Sequence, residues 1–308
     1  MTAYTKALTE KIAKSCIAYP DIFKKLPADI TDYLDHFDLP YEGVLYEGGY
    51  LKIEKVNVFT QTFTPKNFQK TAFLFHGYFD HTGYFSHVIR LLLQNNIRVI
   101  AWDQMGFGLS SGKRAFCNSF DEYLVIAENI IQKFKGDVND KHIYIGHSAG
   151  CSQILSLVRD RKILQQDKIL LIAPLVRCIS WKVTVLSTSV IGNALTKVPR
   201  VLRCVSSDRE FLIKLKSDPL EDKWVDVSWP KALIQWESSL KEIKNPIFST
   251  LVLQGDLDST VSWRYNMKWL ESKFLNLEKI IIKGGRHHLH NENPELLKIC
   301  LDSIKKFI

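Results

Sequence analysis

The sequence lacks any apolar run long enough to cross a membrane. A spanning helix needs about 20 consecutive apolar residues, and charged or polar residues interrupt every stretch well before that length. A secretory signal is not indicated either, because Lys6, Glu10, Lys11 and Lys14 break up the N-terminal segment. We therefore expect a cytoplasmic protein.

Paired cysteine motifs are also absent. No two cysteines form a Cys-x-x-Cys pair, and several lie inside apolar runs, which is typical of reduced and buried thiols. This pattern argues against a small disulfide-rich fold. The six cysteines are Cys16, Cys117, Cys151, Cys178, Cys204 and Cys300.

Basic residues are not concentrated in any one segment. The chain has a formal net charge of +8, from 41 Lys and Arg against 33 Asp and Glu, but these residues are scattered along its whole length. No RNP, zinc-finger or helix-turn-helix signature accompanies them, so we expect no nucleic-acid partner. The charge would favour transient contact with an anionic membrane surface. The sequence does not indicate an oligomeric state.

Short β-rich runs alternate with helical stretches along much of the chain. After the third run, helical patterns at 85–94, 123–134 and 153–159 separate successive strands. Such alternation requires crossover helices and predicts a mostly parallel sheet with both faces covered. The predicted strands are 50–53, 56–63, 71–75, 99–102, 143–145, 169–173, 250–253 and 279–282.

Two segments depart from this alternation. Residues 175–245 contain helical patches but no convincing buried strand, and we interpret them as a lid inserted above the sheet. At the N-terminus, Tyr4, Leu8, Ile12 and Cys16 are spaced as on one face of a helix, which we expect to pack on the main domain rather than anchor at a membrane surface. The predicted organisation is a helical extension (1–36), a core in two parts (37–174 and 246–308) and the lid (175–245).

The strongest local motif is an apolar strand that runs into Gly146-His147-Ser148-Ala149-Gly150. In this Gly-x-Ser-x-Gly turn the serine sits on a strained bend between strand and helix, where only small neighbours fit. Ser148 is thereby a candidate nucleophile. The amide of Ala149 would point at developing negative charge from the N-terminus of the following helix.

A serine needs a base and an acid, and two later loops supply them in the chain order that this turn predicts. Asp256 and Asp258 follow the strand at 250–253, and His287, His288 and His290 follow the strand at 279–282. In a parallel sheet these loops leave the same edge as Ser148. The residues alone leave open which aspartate and which histidine act.

Together these motifs resemble the monoacylglycerol lipase and lysophospholipase-like branch of the α/β-hydrolases, within the serine aminopeptidase (S33-like) grouping. The resemblance extends from about Pro40 to the C-terminus. It implies the α/β-hydrolase fold, with a mostly parallel eight-stranded sheet, helices on both faces and a helical lid. Besides the serine turn and the two later loops, it is carried by three blocks, His76-Gly77-Tyr78, the segment 102–112 and Ser217-Asp218-Pro219-Leu220.

The resemblance also implies residue roles. The acid is the last residue of Gly-x-x-Asp, here Asp258, with Asp256 as the second choice, and the base is the histidine of Gly-x-x-His, here His287. Tyr78 and Ala149 would form the oxyanion hole, although relatives often carry a smaller residue than Tyr78. We expect His288 and His290 to face solvent or to support the site from behind.

The sequence also indicates which other groups are expected at the site. We expect no cofactor, because Ser111 replaces the third glycine of a dinucleotide loop, and no metal, because the histidines lack a fixed ligand spacing. Asp103 is expected to order the turn after the fourth strand. The predicted substrate-binding residues are His76, Gly77, His147, Leu175 and Val185.

These expectations converge on a carboxylic ester hydrolase of the lipase or lysophospholipase type that forms an acyl-enzyme. Apolar lid residues from Val183 to Leu195, followed by Lys197, Arg200 and Arg203, would suit a fatty acyl chain and a phosphate headgroup. The alternatives are a non-catalytic ligand-binding protein of the same fold, an aminopeptidase or a thioesterase. An aminopeptidase would need an acidic subsite, and the lid is basic.

Overall fold

The computed structural model describes residues 6–15, 18–19, 27–136, 141–191, 195–201 and 203–308. The strands within these residues are β1 (Leu45–Ile53), β2 (Val56–Thr64), β3 (Lys70–Phe75), β4 (Ile97–Trp102), β5 (Lys141–His147), β6 (Lys168–Ile172), β7 (Lys197–Pro199), β8 (Trp224–Asp226), β9 (Ser249–Gly255) and β10 (Leu277–Ile282). The α-helices are α1 (Lys6–Ser15), α2 (Ala28–His36), α3 (Ser86–Gln94), α4 (Phe120–Phe134), α5 (Ala149–Arg159), α6 (Trp181–Ile191), α7 (Arg209–Ser217), α8 (Ser228–Ser239), α9 (Trp263–Lys273) and α10 (Pro294–Phe307).

Eight of the described strands form one twisted sheet in the order β1-β2-β4-β3-β5-β6-β9-β10. The first strand pairs antiparallel with β2, and β2 pairs antiparallel with β4. All later neighbours pair in parallel. The predicted mostly parallel, eight-stranded α/β architecture is therefore confirmed. Because β3, β5, β6, β9 and β10 run in the same direction, the loops that follow them lie at one edge of the sheet.

The central strands are buried on both faces, as continuous apolar runs predict for a parallel sheet. In β3, Phe73 and Phe75 belong to the core shared with α4, α5, α8 and α9, whereas Ala72 and Leu74 belong to the core shared with α2, α3 and α10. This alternation follows from the two-residue period of a strand. Burial of each large apolar side chain contributes about 1.5 to 3 kcal/mol, and it fixes the sheet edge on which the site is built.

The lid segment carries α6, β7, α7, β8 and α8 between β6 and β9. Its two strands have three residues each and pair antiparallel with one another, not with the large sheet. The base of the lid is tied down by buried contacts. Asp218 Oδ2 accepts a hydrogen bond from His81 Nε2 at 2.8 Å and from the Tyr84 hydroxyl at 2.7 Å, and Arg114 Nη2 donates to the Leu220 carbonyl.

The N-terminal helix α1 packs against α2 through Ile12, which is buried in the same core as Tyr33 and Leu34. Tyr4 and Cys16, which the predicted helical face also includes, lie outside the described residues. None of the described helices combines the length and the apolar character that crossing a bilayer requires. The expected cytoplasmic location stays a prediction.

The described cysteines are free thiols. Cys117, Cys151 and Cys300 are buried as expected, and burial raises the pKa of the Cys117 and Cys300 thiols to about 12. Cys204 is exposed, which the expectation of buried thiols did not anticipate. It lies in the lid, where the apolar pattern of the neighbouring sequence does not correspond to a buried face.

Candidate active site

Ser148 occupies the bend between β5 and α5. Its backbone has φ +52° and ψ −115°, a region that residues with a side chain rarely adopt. The glycines on either side are required by space. A Cβ on Gly150 would collide with the Phe75 carbonyl oxygen, and a Cβ on Gly146 would lie 2.7 Å from the Cys151 amide nitrogen. The bend is held by the Ser148 amide, which donates to the Ile172 carbonyl at 3.0 Å.

Asp258 and His287 form a buried pair at the same sheet edge. His287 Nδ1 lies 2.8 Å from Asp258 Oδ2. The other carboxylate oxygen, Oδ1, accepts hydrogen bonds from the amides of Thr260 at 2.7 Å and Val261 at 3.2 Å. Burial alone would raise the pKa of Asp258, but the charge and hydrogen bond of His287, with the backbone donor, lower it to about 2. The carboxylate is therefore ionised and fixes the orientation of the imidazole.

Ser148 and His287 line one cavity of about 310 Å³, which opens beneath the lid. In the described part of the chain, neither Ser148 Oγ nor His287 Nε2 has a protein hydrogen-bond partner. Both residues line the same cavity, and neither group is occupied by another described residue. Hydrogen bonds between a nucleophile and its base are commonly long before substrate binds and tighten in the complex.

Asp256, the second choice for the acid, has a different task. Its Oδ1 accepts a hydrogen bond from the Gly284 amide at 2.7 Å, and so it braces the loop after β10. Among the two aspartates, the carboxylate that contacts the His287 ring belongs to Asp258. The geometry thus favours Asp258, as the resemblance implied.

The loop after β3 passes directly beside Ser148. A Cβ on Gly77 would lie 3.2 Å from the Cβ of Ser148 and 2.5 Å from Asp80 Oδ2, so a side chain at this position would not fit. His76 connects this loop to the segment after β4, because its Nε2 accepts a hydrogen bond from the Gln104 amide and its Nδ1 donates one to the Gly77 carbonyl. His76 and Gly77 therefore shape the loop and do not line the cavity.

Tyr78 lines the cavity with its large ring. The ring stacks on Trp229 of α8, with centroids 3.8 Å apart and an interplanar angle of 29°. Its hydroxyl donates to the Ala115 carbonyl at 3.0 Å. Both contacts fix the ring, which therefore forms a rigid wall of the cavity between the lid and the loop after β3.

His147, the residue before the nucleophile, belongs to a second buried pair. Its Nδ1 lies 2.7 Å from Asp80 Oδ2, and its Nε2 lies 3.1 Å from the backbone carbonyl of His287. Asp80 also accepts from the Gly77 amide at 3.1 Å. Burial would raise the pKa of Asp80, but the neighbouring His288 and His147 imidazoles and the hydrogen bond from His147 hold it well below its usual range. The pair links the loop after β3, the turn at Ser148 and the loop of His287.

His288 and His290 are buried, which excludes the first of the two expected alternatives, a solvent-facing position, and agrees with the second, a position that supports the site. His288 is 4% exposed and His290 is fully buried. Burial lowers the pKa of each well below its usual range and keeps both imidazoles neutral. His290 stacks on Phe85, with ring centroids 4.7 Å apart. The local sequence gives no sign of this burial, because the loop is covered by elements distant in the chain.

The lid residues differ in how they meet the expectation. Leu175 is buried and lines the cavity. Val185 does not line the cavity, because its side chain is exposed and the neighbouring Thr184 lines the cavity instead. The placement of Val185 at the substrate site is therefore corrected. Apolar residues occur on several sides of α6, so its sequence does not reveal which side faces inward.

Several cavity residues were not predicted from the sequence. Phe79 and Asp80 directly follow Tyr78, and a lone carboxylate after two aromatic residues was the signal that could have identified Asp80. By contrast, Arg200 is one of the basic lid residues that the sequence analysis expected to suit a phosphate headgroup; it lies across the Phe79 ring at 4.0 Å and forms an ion pair with Glu221. Asp103 is structural as expected, because it accepts from the amides of Thr82 and Leu109.

Comparison with known proteins identifies the family. Residues 66–294 match the model of the serine aminopeptidase, S33 family. The chain is 24% identical over 261 residues to a monoglyceride lipase homolog of Monkeypox virus, covering 82% of this chain and 94% of the relative. It is 24% identical over 260 residues to human monoglyceride lipase, covering 80% and 84%.

Solved structures share the fold. A soluble variant of monoglyceride lipase from Saccharomyces cerevisiae superposes with a TM-score of 0.75 at 15% identity, covering 87% of this chain and 98% of that one. The monoacylglycerol lipase of Paleococcus ferrophilus superposes with a TM-score of 0.69 at 19% identity, covering 82% and 99%. The predicted enzyme class, a carboxylic ester hydrolase, is confirmed by these relatives. The chain belongs to the serine aminopeptidase, S33 family of α/β-hydrolases.

Proposed function

We propose that the chain hydrolyses esters of a single fatty acyl chain, of the monoacylglycerol or lysophospholipid type, through Ser148, His287 and Asp258. The observation that carries the proposal is the buried Asp258–His287 pair, whose free imidazole nitrogen shares a cavity with Ser148. The cavity volume of about 310 Å³ falls within the range of small-molecule sites, about 300 to 1,000 Å³.

In the proposed reaction, Ser148 Oγ attacks the ester carbonyl carbon and His287 Nε2 accepts the hydroxyl proton. The amides of Tyr78 and Ala149 bind the oxyanion that forms. As the carbon–oxygen bond breaks, His287 returns the proton to the departing alcohol and leaves an acyl group on Ser148. A water molecule, deprotonated by His287, then attacks the acyl-enzyme, and His287 returns that proton to Ser148 Oγ as the bond to the acyl group breaks and the fatty acid is released.

An acyl chain is favoured by the character of the cavity. Its lining includes many apolar side chains from the lid and the core, among them Leu175, Ile179, Val225, Trp229, Leu233 and Val261. The acidic side chain in the lining, Asp80, is already paired with His147. An aminopeptidase would need a free carboxylate for the substrate amine, so the charge of this cavity favours an ester over a peptide.

Basic residues at the mouth favour an anionic headgroup as a second substrate type. Arg203 lines the cavity, is exposed, and has no ion-pair partner among the residues that the structure describes. An unpaired guanidinium there can bind a phosphate oxygen pair. We therefore propose lysophospholipids with an exposed phosphate alongside neutral monoacylglycerols.

We also propose that α6 contacts a lipid surface when substrate is taken up. Val183, Leu186 and Val190 lie on one face of the helix and are 65%, 66% and 67% exposed. Lys182 is exposed on the same helix and would favour anionic lipid. Wild-type protein should sediment with vesicles that contain phosphatidylglycerol, and Leu186→Glu should remain in the supernatant. Equal sedimentation of the two proteins would contradict this contact.

A substrate panel tests the proposed reaction. We expect kcat/KM to rise from p-nitrophenyl acetate to the octanoate ester, and long-chain monoacylglycerol to be hydrolysed. If the acetate ester is cleaved faster than every longer ester, the lipid proposal fails.

The headgroup is tested by a substitution at the mouth of the cavity. Arg203→Gln should lower kcat/KM for lysophosphatidic acid but not for monoacylglycerol. The matched change Arg209→Gln, at an exposed arginine of α7, should alter neither value.

A further inference from the structure

Three buried histidines meet directly behind the catalytic residues. Their ring centroids are 4.5 Å apart for His147 and His288, 4.7 Å for His147 and His290, and 5.6 Å for His288 and His290. One ring nitrogen from each lies within 4.8 Å of the others. The strand β5 supplies His147, and the loop after β10 supplies the other two. This triangle is therefore held by two separate parts of the sheet edge.

The nitrogens of this cluster are unusual in having few partners. Both ring nitrogens of His290, and Nδ1 of His288, are buried without a hydrogen-bond partner in the described part of the chain. An unpartnered buried polar atom costs about 1 to 3 kcal/mol. The proposed ester hydrolysis makes no use of these nitrogens, and so the protein maintains three buried donor atoms that a ligand could satisfy.

The chemical type of the three side chains indicates which kind of ion they would bind. Neutral imidazole is a preferred ligand of Zn²⁺ and of Co²⁺, Ni²⁺ and Cu²⁺. His288 and His290 are both buried, so their rings are shielded from bulk water. Asp80 adds a negative charge, since its Oδ1 lies 3.5 Å from His288 Nε2 and its Oδ2 lies 2.7 Å from His147 Nδ1. A metal-bound histidine is commonly oriented by such a carboxylate on its other nitrogen.

We propose that His147, His288 and His290 form a site for one divalent transition-metal cation, with Zn²⁺ as the reference ion. The spacing of these residues along the chain did not predict a metal, because the ligands converge only through the sheet. His147 is engaged at both nitrogens, by Asp80 and by the His287 carbonyl. In the proposed site the cation binds Nε2 and replaces its contact with the His287 carbonyl, while Nδ1 donates its proton to Asp80.

Variants that replace each histidine by another aromatic residue test the site without leaving a cavity in the core. His290→Phe and His288→Phe keep an aromatic ring, slightly larger than imidazole, and remove the nitrogens, and in His290→Phe the ring can still stack on Phe85. The matched control is His87→Phe, a partly buried histidine of α3 outside the cluster. Circular dichroism and thermal unfolding of each full-length variant check that it is folded.

The measurement is equilibrium dialysis of EDTA-stripped protein against buffered Zn²⁺, with metal counted by mass spectrometry. We expect one Zn²⁺ per wild-type chain and per His87→Phe chain, and a dissociation constant raised more than about 100-fold in His290→Phe and His288→Phe. Co²⁺ should give a visible ligand-field band that both cluster variants lose. Wild-type protein that binds no Zn²⁺ at micromolar concentration, or cluster variants that bind as wild type does, would overturn the site. Neither result depends on ester hydrolysis.

Discussion

Two buried aspartate–histidine pairs lie side by side at the same edge of the sheet. The distances are similar, 2.8 Å for Asp258–His287 and 2.7 Å for Asp80–His147, and in both pairs the pKa of the carboxyl group is lowered although burial opposes it. The pairs differ at the second ring nitrogen. In His287 it has no protein partner within the described residues, whereas in His147 it lies 3.1 Å from a backbone carbonyl.

This difference shows that an aspartate–histidine contact does not by itself identify a catalytic base. A base must keep one nitrogen available for the proton that it receives. A histidine engaged at both nitrogens instead acts as a brace, here between the loop after β3 and the loop after β10. The comparison predicts that the two pairs separate cleanly when activity and stability are measured together.

The largest expected effect is on the two histidines. His287→Ala should lower kcat by roughly 10⁴- to 10⁶-fold, because Ser148 loses its base. His147→Ala should lower kcat less but cost more stability, about 3 to 5 kcal/mol, because it leaves the Asp80 carboxylate buried without its partner. Measuring kcat for ester hydrolysis and the free energy of unfolding in urea on the same preparations ranks the two variants by activity and by stability. A larger loss of kcat in His147→Ala would reverse the assignment.

The aspartates should separate in the same way. Asp258→Asn should lower kcat by roughly 10⁴-fold, because the amide favours the wrong tautomer of His287. Asp80→Asn keeps an oxygen that can accept from the Gly77 amide, and we expect a loss of kcat below about 100-fold. Steady-state hydrolysis of a p-nitrophenyl ester is sufficient. Equal losses would mean that the two carboxylates share one role.

Stability against acid gives a smaller effect with a defined sign. The pKa of Asp258 is about 2 in the folded protein and 3.8 ordinarily, so its ionised form stabilises the fold above about pH 4. This contribution, about 2.5 kcal/mol at about 1.4 kcal/mol per pKa unit, is lost as the pH falls through 2. The difference in unfolding free energy between wild type and Asp258→Asn should therefore shrink from pH 7 to pH 2. A constant difference would contradict the lowered pKa.

The smallest effect is expected at Asp256. Its carboxylate accepts from the Gly284 amide, and asparagine retains an acceptor, so Asp256→Asn should change stability by less than about 1 kcal/mol. The value of kcat should stay within about threefold of wild type, as for substitutions away from the reacting groups. The kcat of Asp256→Asn is measured alongside that of Asp258→Asn. If kcat falls nearly as much in Asp256→Asn as in Asp258→Asn, Asp256 is the acid.

The parts of the molecule that follow from local rules were predictable. The turn at Ser148 has a fixed local sequence requirement, and the loops after β9 and β10 reach the same edge because parallel strands share a direction. The brace of Asp80 and His147, and the burial of His288 and His290, were not predictable. They depend on contacts between segments more than sixty residues apart, and such contacts leave no periodic pattern in the sequence.

The lid shows the same limit in another form. Its extent could be read from the break in alternation, but the inward face of α6 could not, because apolar residues such as Val183, Val185 and Leu186 lie on several sides of the helix. The structure turns Thr184 towards the cavity and leaves these valines and the leucine exposed. A helix that is apolar on several sides carries no sequence signal for its orientation.

Labelling with a fluorophosphonate, followed by peptide mass spectrometry, measures the reactivity of the proposed nucleophile most directly. We expect wild-type protein to carry the phosphonyl group on Ser148 alone, with labelling slowed in His287→Ala, retained in His147→Phe and absent in Ser148→Ala. Wild-type protein that stays unlabelled, or Ser148→Ala protein that is still labelled, would contradict a serine hydrolase built on this residue.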